Sequence, residues 1–168
     1  MGSVAYTGSA FKRFLAWFGS TRAGAWTIIN LGSHIDNQLI RVTGGKYNTT
    51  FAWPCLLLTT MGAKTGKPRT TPLVYIKDGE KLVLIASNGG NLRHPAWYLN
   101  LRANPEVEVF LDGKTARYIA KDAQDEEHER LWNEAVGLYS GYEKYRRRAG
   151  GRKIPVVLLE PEHNSSDS

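Results

Sequence analysis

Hydrophobic and polar positions divide the chain into a helical start and a strand-rich remainder. The apolar residues of the first segment recur at the helical spacing i, i+3, i+4 and i+7, and they are Phe11, Phe14, Leu15 and Phe18. This spacing predicts an amphipathic helix within residues 1–20. A second helical stretch is predicted around residues 33–42. The first helix is expected to bury its apolar face on the rest of the protein, or else on a membrane surface.

From Trp53 onward the pattern changes to short runs rich in β-branched and aromatic residues. Six runs are predicted to be strands, and they are WPCLLLTT, RTTPLVYIKD, KLVLIASN, EVEVFL, KTARYIAKD and IPVVLLEP. Two Asp-Gly pairs, Asp78-Gly79 and Asp112-Gly113, lie between consecutive runs and are typical of tight hairpin turns. The strands are therefore expected to be antiparallel.

Helical segments accompany these strands. One is predicted to have Pro95 at its first position, and another to run from about Asp125 through Arg148. This order favours an α+β fold, in which antiparallel strands close into a small barrel and helices pack outside. A single domain is expected over residues 1–161, followed by a disordered polar tail at 162–168.

Composition is that of one soluble domain. A chain of 168 residues is long enough to bury a core without disulfides, roughly 68 to 70% of its unfolded surface. The single cysteine, Cys55, lies among apolar residues and is interpreted as a buried thiol and not as a nucleophile. No apolar stretch approaches the roughly 20 residues that span a bilayer. Since no signal peptide is recognised either, a cytoplasmic location is expected.

The charge of the chain is positive but scattered. A formal net charge of +6 suits nucleic acid, anionic lipid or an acidic small molecule. The basic residues lie in several places, including 64–69, Arg93 and the run YRRRAGGRK, without interleaved stacking aromatics. This distribution disfavours nucleic acid as the partner. The arginine run is interpreted as a solvated helix end.

The segment GAKTGKPRTTPL, residues 62–73, concentrates cations on a turn punctuated by glycines. It is not a P-loop, because that motif needs four residues between its first glycine and its Gly-Lys pair and this segment has three. Lys64, Lys67 and Arg69 nevertheless indicate an anionic ligand.

The segment ASNGGNLRHPAWYLNLRANP, residues 86–105, is the second candidate for function. Its first strand is predicted to end in Ser87-Asn88, and the two following glycines let the backbone approach a ligand closely. The next helix offers free N–H groups to an anion at its start. His94 is interpreted as structural, and the scattered histidines do not indicate a metal site. The sequence has no GxSxG, HExxH or GxGxxG signature.

Together these segments resemble the deazaflavin-dependent nitroreductase family, the F420-dependent reductases of actinobacteria. The resemblance covers about residues 25–161 and rests on TTMGAKTGKPRTTPLVYIKDG, IASNGGNLRHPAWYLNLRANPEVEV and IPVVLLEP. It implies a split β-barrel that binds coenzyme F420, a deazaflavin whose phosphodiester tail ends in several glutamates. It also implies hydride transfer from reduced F420 to quinones, nitro-aromatics or α,β-unsaturated carbonyl compounds.

The resemblance also implies which residues bind the cofactor. The anionic tail is expected at Ala63, Lys64, Thr65 and Arg69. The deazaflavin is expected at Thr70, Thr71, Pro72, Leu73, Val74, Ile85, Ala86, Ser87 and Asn88, and the groove is expected to be closed by Ala96, Trp97, Tyr98, Leu99 and Asn100. The chain departs from the family at Asn88, where many members have lysine.

Two catalytic residues and a substrate wall are expected. Ser87 is the candidate donor to the oxygen of the acceptor on which charge develops. Tyr139, Tyr142 and Tyr145 repeat every three residues and are predicted to line one helical face over the substrate. The resemblance puts Tyr142 nearest the cofactor, and its hydroxyl is the second catalytic candidate.

Alternatives remain open at this point. An FMN-dependent reductase of the same fold and a non-catalytic F420 carrier fit the same segments, and a basic nucleic-acid-binding module fits the charge alone. The expected partner is a small-molecule electron acceptor, with no nucleic acid and no metal. The chain is expected to be a monomer or a weak dimer, and its first helix is the candidate for peripheral membrane contact.

Overall fold

The computed structural model describes residues 53–162. The strands in this range are β1 (Cys55–Met61), β2 (Pro68–Asp78), β3 (Lys81–Ile85), β4 (Glu106–Leu111), β5 (Lys114–Asp122) and β6 (Val156–Pro161). The helices predicted at 1–20 and 33–42 lie outside the described residues, as does the tail from residue 163 onward.

The six strands form a closed antiparallel barrel in the order β1-β2-β3-β6-β5-β4, with β4 pairing back onto β1. The predicted antiparallel barrel is therefore confirmed. Both predicted hairpins are present, since β2 joins β3 after Asp78 and β4 joins β5 through Asp112-Gly113. Asp112 and Gly113 have φ values of 51° and 79°. Two consecutive positive φ values are what a two-residue hairpin turn of type I′ requires.

Three α-helices of the described region pack on this barrel, namely α1 (Ala96–Ala103), α2 (Asp125–Leu138) and α3 (Gly141–Arg148). A one-turn 3-10 helix at Asn88–Gly90 precedes α1. The strand predicted to end in Ser87-Asn88 ends earlier, at Ile85, and α1 begins just after Pro95 and not at it. Within residues 53–162, no helix combines the length and the apolar character needed to cross a bilayer.

The prediction of one helical region from Asp125 through Arg148 is wrong at its middle. α2 ends at Leu138, and Tyr139 has an extended backbone with φ −142° and ψ 99°. A Cβ atom on Gly141 would lie 2.2 Å from the ring of Tyr139, so only glycine lets that ring fold back over the start of α3. The three tyrosines therefore do not line one helical face, because Tyr139 precedes the helix that carries the other two.

The strands bury side chains on both faces. Leu159 and Val157 of β6 point into the barrel, where they join the core that also holds Leu56 and Leu84. Leu158, between them, points outward and packs with Trp132 and the other buried residues of α2 and α3. Successive side chains of a strand alternate between its faces, so β6 links the barrel interior to the helical layer.

Candidate active site

The cationic turn, residues 62–67, is closed by its own backbone. The Gly62 N–H donates to the Lys67 carbonyl at 2.9 Å, and the Gly62 carbonyl accepts from the N–H groups of Thr65 and Gly66 at 3.2 and 2.8 Å. Gly66 has φ +62° with open space around it, a conformation that glycine adopts without cost. The turn therefore has a defined shape between β1 and β2.

Asn100 of α1 fixes this turn against the barrel. Its Oδ1 accepts from the Ala63 N–H at 3.0 Å, and its Nδ2 donates to Thr60 Oγ1 at 3.1 Å. The Thr60 hydroxyl in turn donates to the Arg69 carbonyl at 3.5 Å. One amide side chain thus joins the turn, β1 and the start of β2, so the predicted residues Ala63, Arg69 and Asn100 lie together.

The cations of this turn and of the adjoining start of β2 have no acidic partner in the described part of the chain. Lys64, Lys67 and Arg69 are exposed, and none of them forms an ion pair with a carboxylate in residues 53–162. Other arginines of that region do pair, Arg102 with Asp122 at 3.2 Å and Arg130 with Asp78 at 2.7 Å. The turn is therefore a local concentration of uncompensated positive charge.

The predicted ring-binding stretch on β2 is divided between the two faces of the strand. Leu73 packs into the barrel core, whereas Val74 packs outside it against Cys55 and Leu57. Of the run Thr70 to Val74, only alternate side chains can face one ligand. The side chains are divided in the same way at the end of β3, since Ile85 packs toward the helices and Ala86 into the barrel. Residues whose side chains point away from a ligand can contact it only through their backbone atoms.

The predicted groove residues of α1 divide in a similar way. Trp97 and Tyr98 are buried in the barrel core together with Ala86. Ala96 and Leu99 face outward, and Leu99 keeps 52% of its surface exposed. This large exposed apolar side chain precedes Asn100, which contacts the cationic turn, and it is available to a ligand.

Arg152 organises the loop between β3 and α1. Its guanidinium donates to the carbonyls of Ser87 at 2.8 Å and Asn91 at 2.8 and 3.1 Å, to the Ala86 carbonyl at 3.4 Å and to His94 Nδ1 at 3.1 Å. The interpretation of YRRRAGGRK as a solvated helix end is therefore wrong for this residue. The position of Arg152 just before the predicted strand IPVVLLEP was the available sequence signal for a structural role. Its hydrogen-bond partners could not be predicted from the sequence.

Asn88 has a structural role in this loop. Its φ is 51°, a left-handed conformation that asparagine adopts more readily than most residues. Its Nδ2 donates to the Arg93 carbonyl at 3.0 Å. Asn88 therefore stabilises the same loop that Arg152 holds from the other side.

His94 belongs to a polar network beneath this loop. It packs on Tyr98 with ring centroids 5.0 Å apart, and the Tyr98 hydroxyl donates to Asp122 at 2.8 Å. Burial, and then the neighbouring Arg152 guanidinium, lower the pKa of His94. Since its Nδ1 accepts from Arg152, the neutral ring carries its proton on Nε2. The prediction that His94 is structural agrees with these contacts.

The three predicted substrate tyrosines form a cluster despite the break in the helix. The hydroxyls of Tyr139 and Tyr145 lie 3.0 Å apart, and the rings of Tyr139 and Tyr142 meet edge to face at 5.2 Å. Burial raises the pKa of all three phenols, so they remain protonated over the physiological range.

This tyrosine cluster lies next to the loop that contains Ser87. Gly90, at the end of the 3-10 helix, packs so closely on α3 that an added Cβ would lie 2.7 Å from the Tyr145 carbonyl oxygen. Ser87 itself is 8% exposed. Its carbonyl is held by Arg152, and its hydroxyl makes no hydrogen bond to another described residue. The structure thus brings the loop of Ser87 and the predicted acceptor wall to the same part of the molecule.

The fold and these clusters define a split-barrel protein with a cationic turn at the end of β1 and a buried phenol cluster beside the loop after β3. A family model for F420H(2)-dependent quinone reductase matches residues 33–161. An F420H(2)-dependent quinone reductase of Mycobacterium tuberculosis H37Rv is 41% identical over 143 residues, which are 77% of this chain and 94% of that protein. The chain belongs to the F420H(2)-dependent quinone reductase family.

Solved structures agree with this membership. The F420-H2 dependent reductase FDR-A is 40% identical, with a TM-score of 0.59 over 64% of this chain and 94% of that one. A second solved chain, described as a domain-swapped dimer, is 34% identical, with a TM-score of 0.60 over 76% of this chain and 97% of that one. The predicted resemblance, the split-barrel fold, the F420H2-dependent oxidoreductase activity and the cofactor F420 are confirmed.

Proposed function

We propose that this reductase transfers hydride from F420H2 to quinones and to chemically similar acceptors, nitro-aromatics and α,β-unsaturated carbonyl compounds. The observation that carries this proposal is that Lys64 and Lys67 of the turn and Arg69 at the start of β2 are exposed and form no ion pair within residues 53–162. Asn100 holds the turn in place. A polyanionic cofactor tail is the ligand such a turn suits, because charge-assisted hydrogen bonds are stronger than neutral ones.

The proposed cofactor site extends from this turn along the barrel. Ala63, Lys64, Thr65 and Arg69 bind the tail. The deazaflavin lies against residues 70–74 and 85–88, with alternate residues contributing side chain or backbone, and residues 96–100 close the groove through exposed Leu99 and the Asn100 amide. When bound, the deazaflavin supplies a hydride, which carries two electrons together.

The proposed contribution of the protein is placement and charge stabilisation. Arg152 holds the Ser87 carbonyl, which leaves the Ser87 hydroxyl to donate to an acceptor oxygen. Tyr142 is buried at 8% exposure, and its hydroxyl has no hydrogen-bond partner among the described residues. Two donors at a dry site suit an oxygen on which negative charge develops. The tyrosine rings supply a flat apolar wall for the acceptor.

Anaerobic mixing of the purified protein with F420H2 and menadione tests the function directly. We expect acceptor-dependent return of the absorbance of oxidised F420. A rate no greater than that of a protein-free mixture would contradict the proposal. Tight F420 binding without turnover would instead favour the carrier, and a protein that is purified with bound FMN and reduces menadione with it would favour the flavin reductase.

The tail assignment is tested by Arg69→Ala. We expect F420 affinity to fall by about tenfold to a hundredfold, the value of one charge-assisted contact, while affinity for the tail-less deazaflavin stays unchanged. Calorimetric titration measures both. Lys114→Ala, which removes an exposed cation at the start of β5, is the matched control and should bind both compounds normally. An equal loss for the two compounds in Arg69→Ala would exclude a tail contact.

The acceptor wall is tested by replacing each of Tyr139, Tyr142 and Tyr145 with Phe. Loss of the Tyr142 hydroxyl should lower turnover of quinone and nitro acceptors, while F420 affinity changes by less than about 1 kcal/mol because the ring keeps its shape. Steady-state kinetics on two different acceptors measure this. Unchanged turnover and unchanged acceptor preference in all three variants would return the tyrosines to a purely structural role.

Two expectations about partners stay predictions. The first helix, the candidate for peripheral membrane contact, falls within residues 1–20 and outside the described region. The domain-swapped dimer is the state of a related protein, and for this chain we propose a monomer or a weak dimer. Sedimentation of the protein with anionic vesicles, and its mass in solution, test these predictions.

A further inference from the structure

Arg148, in the last turn of α3, has a buried polar atom without a partner among the described residues. Its Nη1 is inaccessible to solvent and makes no hydrogen bond to any residue of 53–162. It forms no ion pair with any carboxylate of residues 53–162. A buried guanidinium nitrogen without an acceptor is costly, so this position is one that a ligand could stabilise.

The neighbours of Arg148 on the same helix behave differently. Arg146 pairs with Glu143 at 3.0 Å and lies over the Trp132 ring at 4.9 Å. Arg147 is exposed. Arg148 lies against the loop after β3 at its Cβ, since a Cβ added to Gly90 would lie 2.8 Å from that atom.

Arg148 also lies beside the tyrosine cluster. Burial is the main influence on the phenols of Tyr139 and Tyr145 and raises their pKa, and the Arg148 charge opposes that rise in both. The guanidinium is therefore close enough to act electrostatically on the two hydroxyls that lie 3.0 Å from each other. Arg148 is therefore near both the proposed acceptor wall and the loop that carries Ser87.

We propose that Arg148 binds the negatively charged oxygen that forms on the acceptor during reduction. When a hydride bonds to one carbonyl oxygen of a quinone, the π electrons shift through the ring, the electron pair of the opposite C=O bond moves onto its oxygen, and a hydroquinone monoanion forms. The guanidinium, which stays protonated, stabilises this oxyanion without giving up a proton. Water supplies the proton as the product leaves. This inference rests on the proposed function and assigns that site a preference for acceptors that become phenolates.

A ligand that needs no turnover gives the sharpest test. The probe is 4-nitrophenol, whose phenolate absorbs visible light and resembles a one-ring hydroquinone monoanion. Added to the protein loaded with oxidised F420, it should bind as the phenolate, so its apparent pKa should be lowered on binding. Arg148→Met should remove this shift, and Arg147→Met, which changes an exposed arginine on the same turn, should retain it.

Kinetics provide the second readout. With menadione, Arg148→Met should lower kcat by about a hundredfold to a thousandfold, as loss of one oxyanion donor does, with little change in KM and in F420 affinity. Arg148→Lys keeps the charge and should recover part of both the shift and the rate. The lysine variant also provides the test if Arg148→Met does not fold. If Arg148→Lys equalled the control Arg147→Met in probe affinity, in the pKa of the bound probe and in kcat, the assignment would be overturned.

The outcomes separate the two proposals. Retention of the phenolate shift in Arg148→Met, or a kcat equal to that of Arg147→Met, would overturn the role of Arg148 and leave the quinone reductase intact. Loss of F420 binding in Arg148→Met would also overturn it, because the residue would then hold the cofactor. Wild-type protein that binds nitrophenolate but reduces no quinone would contradict the proposed function alone.

Discussion

At the scale of single residues, Arg152 is the side chain on which the loop after β3 depends. It donates to carbonyls that lie 61 to 66 positions earlier in the chain, and the loop has little regular structure beyond one 3-10 turn. Buried backbone carbonyls need such partners. A single planar donor with five N–H groups can hold several of them at once.

Replacing Arg152 with Met should loosen this loop. We expect the free energy of unfolding to fall by about 1–3 kcal/mol, because carbonyls lose their donors, and F420 affinity to fall as Ser87 and Asn88 lose their fixed position. Urea denaturation and calorimetric titration measure the two effects. Lys153→Met changes the next residue, which is exposed, and should do neither. An Arg152→Met protein with normal stability and normal affinity would contradict this.

The lowered pKa of His94 predicts a pH dependence of stability. Burial and Arg152 lower it, whereas Asp122 acts in the opposite sense and Arg102 reinforces it. Because the unfolded chain then binds a proton more readily than the folded one, the stabilisation is complete above the unfolded value of about 6.5. It is lost as the pH falls from there toward the folded pKa.

The measurement is the free energy of unfolding of wild type and of His94→Gln at about pH 7.5 and about pH 5.5. These two values lie above and below the unfolded pKa of histidine. The advantage of wild type over the variant should shrink at the lower pH. An advantage that grows on acidification would mean that folding raises the pKa of His94.

Residues differ in how far the sequence predicts them. The cations of the turn could be identified, because glycines and charged residues within six positions define that turn locally. Arg148 and Arg152 could not, because both lie in a run that is typical of a solvated helix end. What distinguishes them is contact with a loop about sixty positions away, and such a contact leaves no local pattern.

At the scale of elements, α3 packs closely on the 3-10 helix. The contact passes through Gly90, whose φ is +78° and whose added Cβ would meet Tyr145 at 2.7 Å and Arg148 at 2.8 Å. Glycine is therefore needed twice here, once for its backbone conformation and once for its size. This contact sets the distance between the loop of Ser87 and the tyrosine cluster.

A pair of glycine variants separates these two requirements. Gly151 also has a positive φ, +85°, but nothing lies within 4 Å of its added Cβ. Gly151→Ala should therefore cost only the left-handed conformation, about 1–2 kcal/mol. Gly90→Ala should cost about 1–3 kcal/mol more, because α3 must move. Urea denaturation measures both, and equal losses would mean that α3 does not pack on Gly90 as described.

The elements themselves were largely predictable. The strand runs are rich in β-branched and aromatic residues, and two of the connections between them contain Asp-Gly pairs, so the strand type and the two hairpins follow from local sequence. The break at Tyr139 was missed because tyrosines at three-residue spacing imitate a helical face. The glycine at 141, which lets the Tyr139 ring fold back, was the only local sign of it.

At the scale of the whole molecule, the barrel and the helical layer are stabilised by two cores that share β3 and β6. The barrel core includes the buried side chains of α1 and fixes that helix on the barrel. The outer core fixes α2 and α3 on the barrel. The cationic turn is hydrogen-bonded to α1, which packs in the barrel core, whereas the tyrosine cluster belongs to the outer core. The relative position of the proposed tail site and acceptor site therefore depends on both faces of these strands.

Leu158 and Leu159 of β6 test this division, because they are neighbours in sequence, 3% and 0% exposed, and lie in different cores. Each Leu→Ala change should lower the free energy of unfolding by about 2–5 kcal/mol. Only Leu158→Ala should speed hydrogen exchange in α3 by more than the loss of global stability explains. It should also lower quinone turnover, because the cavity left by the leucine side chain lies under the tyrosines. Leu159→Ala should leave α3 exchanging with the barrel. If both variants released α3 to the same extent, the outer core would not be a separate support, and the acceptor wall would depend on the barrel interior alone.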